Sequence, residues 1–134
     1  MPSVLFVCVA NSFRSQMAEA FARSLAGAGW EVASAGSHPS GQVHPLAVEL
    51  LAEAGLSLAG HRSKSVAEMA GRPWDYVVTM GCGDNCPIVP ARQRLDWDLP
   101  DPSGLSPDGA RLVRDRIRDL VRQLIDSHPT VPLP

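Results

Sequence analysis

Short apolar runs alternate with longer amphipathic segments along this chain, a pattern typical of parallel strands connected by helices. Strands are predicted at 4–7, 31–35, 76–80 and 94–97. Helices are predicted at 15–26, 45–54, 66–70 and 107–128. We therefore expect an α/β fold, a three-layer sandwich whose central sheet has four parallel strands.

Three of the predicted helices carry an apolar stripe that marks their buried side. The first has apolar residues every four positions and ends near two glycines; its stripe is Met17, Phe21 and Leu25. The second opens at His44-Pro45 and closes at Gly55, and its inward positions are Leu46, Leu50, Leu51 and Ala54. The last is predicted to bury Leu112, Val113, Ile117, Leu120, Val121 and Leu124.

Local signals mark where these helices begin. Ser106 is a predicted N-cap, followed by Pro107 at the first helical position. Ser65 and Glu68 have the spacing of a capping box, which predicts a short helical turn over 66–70. The arginines at 111, 114, 118 and 122 lie opposite the apolar stripe of the last helix and are interpreted as a solvated face.

Length and charge narrow the class of protein. The chain has 134 residues, of which 45% are hydrophobic, and its formal net charge is −2. We predict one domain over 1–128 and a flexible C-terminal tail over 129–134. Because the chain has no basic run, we expect the protein to bind neither nucleic acid nor membranes. Because it has neither a signal peptide nor a long apolar segment, we expect it to be cytoplasmic. We also expect a monomer.

The most informative motif joins the first predicted strand to the first helix. A loop that enters a helix N-terminus leaves backbone N–H groups without partners, and the helix dipole adds positive charge there. Arg14, six positions after Cys8, can grip two oxygens of a tetrahedral anion. The predicted oxyanion-binding residues are Val9, Ala10, Asn11, Ser12, Phe13, Arg14 and Ser15.

Cys8 would lie at the floor of this loop as a nucleophile, because the helix dipole and Arg14 both favour its thiolate form. The Ser15 hydroxyl is placed to hydrogen-bond the sulfur. The alternative is that Cys8 is a buried residue at a strand end and that Arg14 is an ordinary surface residue.

Another informative loop follows the fourth predicted strand. Asp101 precedes Pro102, and a carboxyl group held above a bound tetrahedral anion can protonate a departing oxygen. We therefore predict Asp101 as the general acid. Asp96 and Asp98 compete for the role, and the Asp-Pro pair is also common turn chemistry.

Cys82 and Cys86 follow the third predicted strand and form the remaining thiol pair. Their three-residue gap matches neither a zinc knuckle nor a thioredoxin-type dithiol, so we predict no metal. Residues four apart on a helix lie too far apart for a disulfide, and bonding would require local unwinding. We predict redox chemistry because the segment favours such a rearrangement: it ends at Pro87 and contains the poor helix formers Gly81, Gly83, Asp84 and Asn85. The alternative is two buried cysteines that pack as small hydrophobes.

The chain resembles the arsenate reductases of the low-molecular-weight protein tyrosine phosphatase fold. The resemblance spans nearly the whole sequence and rests on five segments, which are 4–8, 11–12 with 14–19, 34–36, 82–87 and 98–102. It implies that Cys8 attacks arsenate, Arg14 binds it, Asn11 orients the loop and Asp101 assists as acid. It also implies that Cys82 and Cys86 carry the electrons, without a cofactor, from thioredoxin or from a mycothiol and mycoredoxin system.

The sequence departs from the family pattern at three places. Ala10 stands where glycine is frequent, Phe13 stands where many relatives carry a cysteine, and the gap between Cys82 and Cys86 is short. Two other functions remain open. A tyrosine phosphatase would use Cys8, Arg14 and Asp101 but would release its product with water. A non-enzymatic thiol module would bind arsenite through the cysteines.

Overall fold

A computed structural model describes residues 1–69, 71–81 and 89–128. Its strands are β1 (Ser3–Cys8), β2 (Glu31–Gly36), β3 (Trp74–Thr79) and β4 (Ala91–Asp96). They form one parallel sheet in the order β2-β1-β3-β4. The predicted four-stranded sheet is confirmed, although β4 begins three residues before the predicted start.

The helices also follow the predicted order. They are α1 (Arg14–Ala26), α2 (Pro45–Glu53), α3 (Val66–Met69) and α4 (Pro107–Ser127). Short 3-10 turns occupy Gly27–Gly29 and Pro102–Gly104. The predicted caps are present: the Ser106 hydroxyl accepts from the Gly109 N–H, and the Glu68 carboxylate accepts from the Ser65 N–H.

Alternation along β1 divides the core into two layers. Val4, Phe6 and Cys8 face a large cluster built with α1, α2 and α4. Leu5 and Val7 face a smaller cluster on the other side of the sheet, which includes Val66 of α3. Successive strand residues point to opposite faces, so an apolar run buried on both sides produces the predicted three-layer sandwich.

Several burial predictions are wrong at helix edges. Leu112 is 71% exposed and Leu25 is 39% exposed, while Ala54 is also exposed. These residues lie at the margin of their stripes, where the neighbouring element does not reach. The prediction that the arginines of α4 form a solvated face is wrong for Arg114. Its side chain is only 12% exposed and donates a hydrogen bond to the Leu50 carbonyl oxygen.

The chain order places a crevice beside β1. The connection from β1 leads to β2 on one side, and the chain later returns to form β3 on the other side. Ligands of open parallel sheets bind beyond the carboxyl ends of the strands at such a reversal. Cys8, the last residue of β1, lies at this point.

Some predictions fall outside the described residues. Cys82, Cys86 and the tail 129–134 are among them. Within 1–69, 71–81 and 89–128, no helix has the length and apolarity needed to cross a membrane.

Candidate active site

The loop between β1 and α1 turns its peptide carbonyl groups outward. The carbonyl oxygens of residues 8, 9, 10 and 12 accept hydrogen bonds of 2.8–3.1 Å from backbone N–H groups of the segment 37–44; the donors are Ser37, His38, Ser40 and His44. In a trans peptide the carbonyl and the following N–H point in opposite directions. The N–H groups of this oxyanion loop (residues 8–14) therefore converge on its inner side, where an anion would be bound.

The sulfur of Cys8 lies at the floor of the oxyanion loop. It is 2.9 Å from the Ser15 hydroxyl oxygen, and it accepts from the Asn11 N–H at 3.3 Å. The Asn11 side-chain amide donates to the same hydroxyl oxygen at 2.8 Å. Either the Ser15 oxygen or the Cys8 sulfur can be the donor of their contact. If Cys8 is a thiolate, the Ser15 hydroxyl and the Asn11 N–H both donate to the sulfur.

Asn11 has a backbone conformation that most residues avoid. Its φ is 49°, in the left-handed region that asparagine tolerates better than most residues with a Cβ atom. Its side-chain oxygen accepts from the Lys64 N–H at 2.9 Å and from the Gln16 amide at 3.1 Å. These bonds hold the bend of the oxyanion loop in place.

Arg14 begins α1 and reaches across the crevice. Its Nη1 atom donates to the Leu99 carbonyl oxygen at 2.9 Å, so the guanidinium lies between the oxyanion loop and the loop that carries Asp101. The positive charge thus lies at the opening of the predicted anion site.

Asp101 caps the turn Pro102–Gly104. Its Oδ1 atom accepts from the Ser103 N–H at 3.0 Å and from the Ser103 hydroxyl at 2.8 Å. Burial alone would raise the pKa of Asp101, but the Ser103 bonds and the charges of Arg14 and His44 lower it overall. The structure therefore brings Asp101 within the electrostatic reach of Arg14.

The two competing carboxylates have other surroundings. Asp96 accepts a hydrogen bond from the Thr79 hydroxyl at 2.8 Å, which engages it at the end of β4. Asp98 is exposed. Asp101 is exposed as well, but the charge of Arg14 contributes to lowering its pKa.

A buried charge cluster behind the oxyanion loop was missed by sequence reasoning. Glu19, on α1, accepts from the Ser34 hydroxyl at 2.6 Å and from Arg23 at 3.0 Å. The Lys64 ammonium lies 3.6 Å and the His61 ring 3.5 Å from the same carboxylate. Burial lowers the pKa of Lys64 and of His61, and the charge of Glu19 opposes both shifts.

This cluster connects to the oxyanion loop through Gln16. The Gln16 Oε1 atom is 3.0 Å from His61, while its amide nitrogen donates to the Asn11 carbonyl oxygen at 3.1 Å. The available sequence signal for the cluster was one charged residue, Glu19, within an otherwise apolar run over 17–22.

Gly36 entered the sequence analysis only as part of the family resemblance. The structure gives it a packing role, because a Cβ atom there would lie 2.6 Å from the Val9 carbonyl oxygen.

The described part of the chain contains no group of three or more His, Cys, Asp or Glu side chains able to hold a metal ion. Cys8 is a free thiol and is 3% exposed. The structure thus assembles Cys8, the oxyanion loop, Arg14 and Asp101 around one crevice. The placement of Cys82 and Cys86 is outside the described residues.

Comparisons with known proteins agree with this geometry. The family model for low molecular weight phosphotyrosine protein phosphatase matches residues 3–129. A glutaredoxin arsenate reductase from Synechocystis is 38% identical over 128 residues, which cover 93% of this chain and 97% of that protein.

Two solved structures have the same fold. One, an arsenate reductase in the phosphate binding state, is 38% identical with a TM-score of 0.85, and the match covers 94% of this chain and 98% of that one. The other, a thioredoxin-dependent arsenate reductase from Corynebacterium glutamicum, is 39% identical with a TM-score of 0.78. That match covers 95% of this chain and 61% of the other. The similarity therefore extends over nearly the whole chain.

Proposed function

The chain belongs to the low-molecular-weight phosphotyrosine protein phosphatase family, and from this premise we propose that it reduces arsenate to arsenite through a relay of cysteine thiols. The observation that carries the proposal is the Cys8 sulfur at the floor of the oxyanion loop, where it accepts from the Asn11 N–H and lies 2.9 Å from the Ser15 hydroxyl oxygen. Relatives matched over nearly their full length are named arsenate reductases.

In the first step, the oxyanion loop and Arg14 bind arsenate above Cys8. The thiolate attacks the arsenic atom, so an As–S bond forms and an As–O bond breaks. The departing oxygen leaves as water after it takes up protons, one of which Asp101 delivers. The inward N–H groups and the guanidinium stabilise the charge that develops on the remaining oxygens.

In the second step, a thiolate attacks the Cys8 sulfur. The As–S bond breaks, its electron pair stays on arsenic, and As(V) becomes As(III) as arsenite leaves. Cys82 is the proposed internal attacker, and its attack leaves a Cys8–Cys82 disulfide. Cys86 then attacks the Cys82 sulfur, so that Cys8 is released and a Cys82–Cys86 disulfide forms. Thioredoxin would reduce that disulfide. In the alternative route, mycothiol attacks Cys8 and mycoredoxin reduces the mixed disulfide.

The chain path supports an attack from Cys82. The Met80 N–H donates to the Val7 carbonyl oxygen at 2.8 Å, which continues the β1–β3 pairing to the end of the sheet. Gly81 follows, and Cys82 is bonded to it. The described chain therefore leaves the sheet beside Cys8 at Gly81, one residue before Cys82 in the sequence.

The charge state of Asp101 makes the acid step depend on the substrate. Because its pKa is lowered, Asp101 is a carboxylate at neutral pH before arsenate binds. An arsenate dianion next to it would raise that pKa, since like charges disfavour ionisation. The proton would thus arrive together with the substrate.

A turnover assay tests the proposal. Arsenite is measured with thioredoxin and its reductase in one reaction and with mycothiol and mycoredoxin in another. Cys8→Ser should be inactive in both reactions. Cys86→Ser inactive only with thioredoxin would support the internal relay. Unchanged arsenite production by Cys8→Ser, or none by the parent protein with either reductant, would contradict the proposal.

Phosphatase activity is the second function that the site favours, because the family model is that of a phosphatase and the oxyanion loop suits any tetrahedral anion. Water would then release the product, and no second thiol is needed. Aryl phosphate hydrolysis that survives Cys82→Ser and Cys86→Ser, without arsenate turnover by the parent, would make this the principal activity. Since the relay needs reduced thiols, we propose that the protein acts in the cytoplasm. We also propose that it acts as a monomer, because one chain supplies Cys8, Arg14 and Asp101.

A further inference from the structure

Gly81 lies at the junction between the sheet and the segment that carries the second thiol. It directly follows Met80, the residue anchored to β1, and its φ is +79°. This left-handed conformation is strained for residues with a Cβ atom. Sequence reasoning treated Gly81 only as a poor helix former, but the structure gives it a specific neighbour.

That neighbour is the guanidinium of Arg14. A Cβ atom built on Gly81 would lie 2.3 Å from Arg14 Nη1 and 3.0 Å from the Leu99 carbonyl oxygen. These are the two atoms joined by the 2.9 Å hydrogen bond that holds the guanidinium. The absent side chain of Gly81 therefore leaves the space in which this bond forms.

We propose that Gly81 is a positioning residue for oxyanion binding. Because it has no side chain, the Arg14 guanidinium has room to lie against the Leu99 carbonyl oxygen. A methyl group at residue 81 would move the end of a flexible side chain, so the fold would tolerate it. Anion binding would suffer, because a bidentate guanidinium grip depends on where that end lies. The inference deepens the proposed function, but it requires only that Arg14 binds a tetrahedral anion.

The chain offers a matched control at Gly55, which follows α2. Its φ is +81°, nearly the same as that of Gly81, but a Cβ atom there would meet nothing within 4 Å. Gly55→Ala therefore imposes the same backbone strain without touching the site. Any effect of Gly81→Ala beyond that of Gly55→Ala reports on the contact with Arg14 and Leu99.

The test measures the Kd of inorganic phosphate, without arsenate or a reductant. Bound phosphate should protect Cys8 from alkylation by iodoacetamide, so the alkylation rate at increasing phosphate concentrations gives the Kd. Mass spectrometry of the tryptic peptide 1–14 measures the alkylation of Cys8 separately from that of the other thiols. Gly81→Ala should weaken phosphate binding by about 10-fold or more, the scale of one charge-assisted hydrogen bond. Gly55→Ala should leave it unchanged. Measurements are made below the melting temperature of every variant.

A double-mutant cycle then asks whether the effect passes through Arg14. In the Arg14→Lys background the Nη1 atom is absent, and the shorter side chain ends near the present Cζ position, 3.4 Å from the added Cβ. Gly81→Ala should then weaken phosphate binding by less than about twofold. An equal loss in both backgrounds, or a Gly81→Ala affinity equal to that of the parent, would overturn the inference. Failure of arsenate reduction would leave this result unaffected.

Discussion

At the scale of single residues, one buried hydroxyl group lies in contact with the Cys8 sulfur. Ser15 is fully buried, its oxygen accepts from the Asn11 side chain at 2.8 Å, and it lies 2.9 Å from the sulfur. A thiolate at this position is therefore stabilised by a donor that no solvent molecule has to supply.

Removing that hydroxyl should make Cys8 less reactive. We expect Ser15→Ala to slow the alkylation of Cys8 at neutral pH by about 10-fold, since hydrogen bonds to charged groups contribute about 1.5–3 kcal/mol. The rate is read from the tryptic peptide 1–14. Ser34→Ala is the control, because Ser34 is equally buried but bonds Glu19. Equal rates for Ser15→Ala and the parent would argue against the donor role of Ser15.

Sequence reasoning located the residues of the oxyanion loop but not those that hold it. Cys8, Arg14 and Ser15 are close in sequence, and their spacing alone brings them together at a helix start. Gln16 and Lys64 donate to Asn11, Lys64 from 53 positions along the chain, and His61 contacts Gln16. Such contacts depend on how the elements pack, which local periodicity does not encode.

At the scale of elements, an ion-pair cluster links α2 to α4. Glu53 accepts from Arg111 through both carboxylate oxygens at 2.9 Å and from Arg114 at 2.7 Å. The predicted arginine face of α4 is therefore partly an interhelical contact. The helix itself was predictable from its stripe and cap, but its partner was not, because Glu53 is 58 and 61 positions away.

The Glu53 cluster predicts a specific pH dependence of stability. The Arg111 and Arg114 hydrogen bonds lower the pKa of Glu53 from its ordinary 4.5 to about 2. Since the folded pKa lies below the unfolded one, its stabilising contribution is complete above pH 4.5 and declines as the pH falls towards 2. Glu53→Gln should therefore lower the urea midpoint at pH 7, and the difference from the parent should shrink between those pH values.

The control for this prediction lies on the same helix. Glu49 is exposed and makes no ion pair within the described ranges. Glu49→Gln should therefore leave the urea midpoint close to that of the parent at neutral pH. If the urea midpoint of Glu53→Gln equals that of Glu49→Gln at pH 7, the cluster contributes nothing to the stability of the fold. Many exposed ion pairs make no measurable contribution of this kind.

At the scale of the whole molecule, the strand order β2-β1-β3-β4 decides where the chemistry lies. Parallel strands bring the loops after β1, β3 and β4 to one edge of the sheet, and these loops carry Cys8, Gly81 and Asp101. This convergence was predictable from alternating strands and helices. The position of the Arg14 guanidinium between Gly81 and Leu99 was not predictable, because it depends on atomic positions in two separate loops.

A crystal structure of Cys8→Ser soaked with arsenate tests the central claim most directly, because this variant holds the anion without reacting. The account predicts arsenate inside the oxyanion loop, directly above the side chain of residue 8. Its oxygens should accept hydrogen bonds from the inward N–H groups, and Arg14 should contact two of them. Arsenate bound outside the loop, with Arg14 in contact with none of its oxygens, would contradict the account.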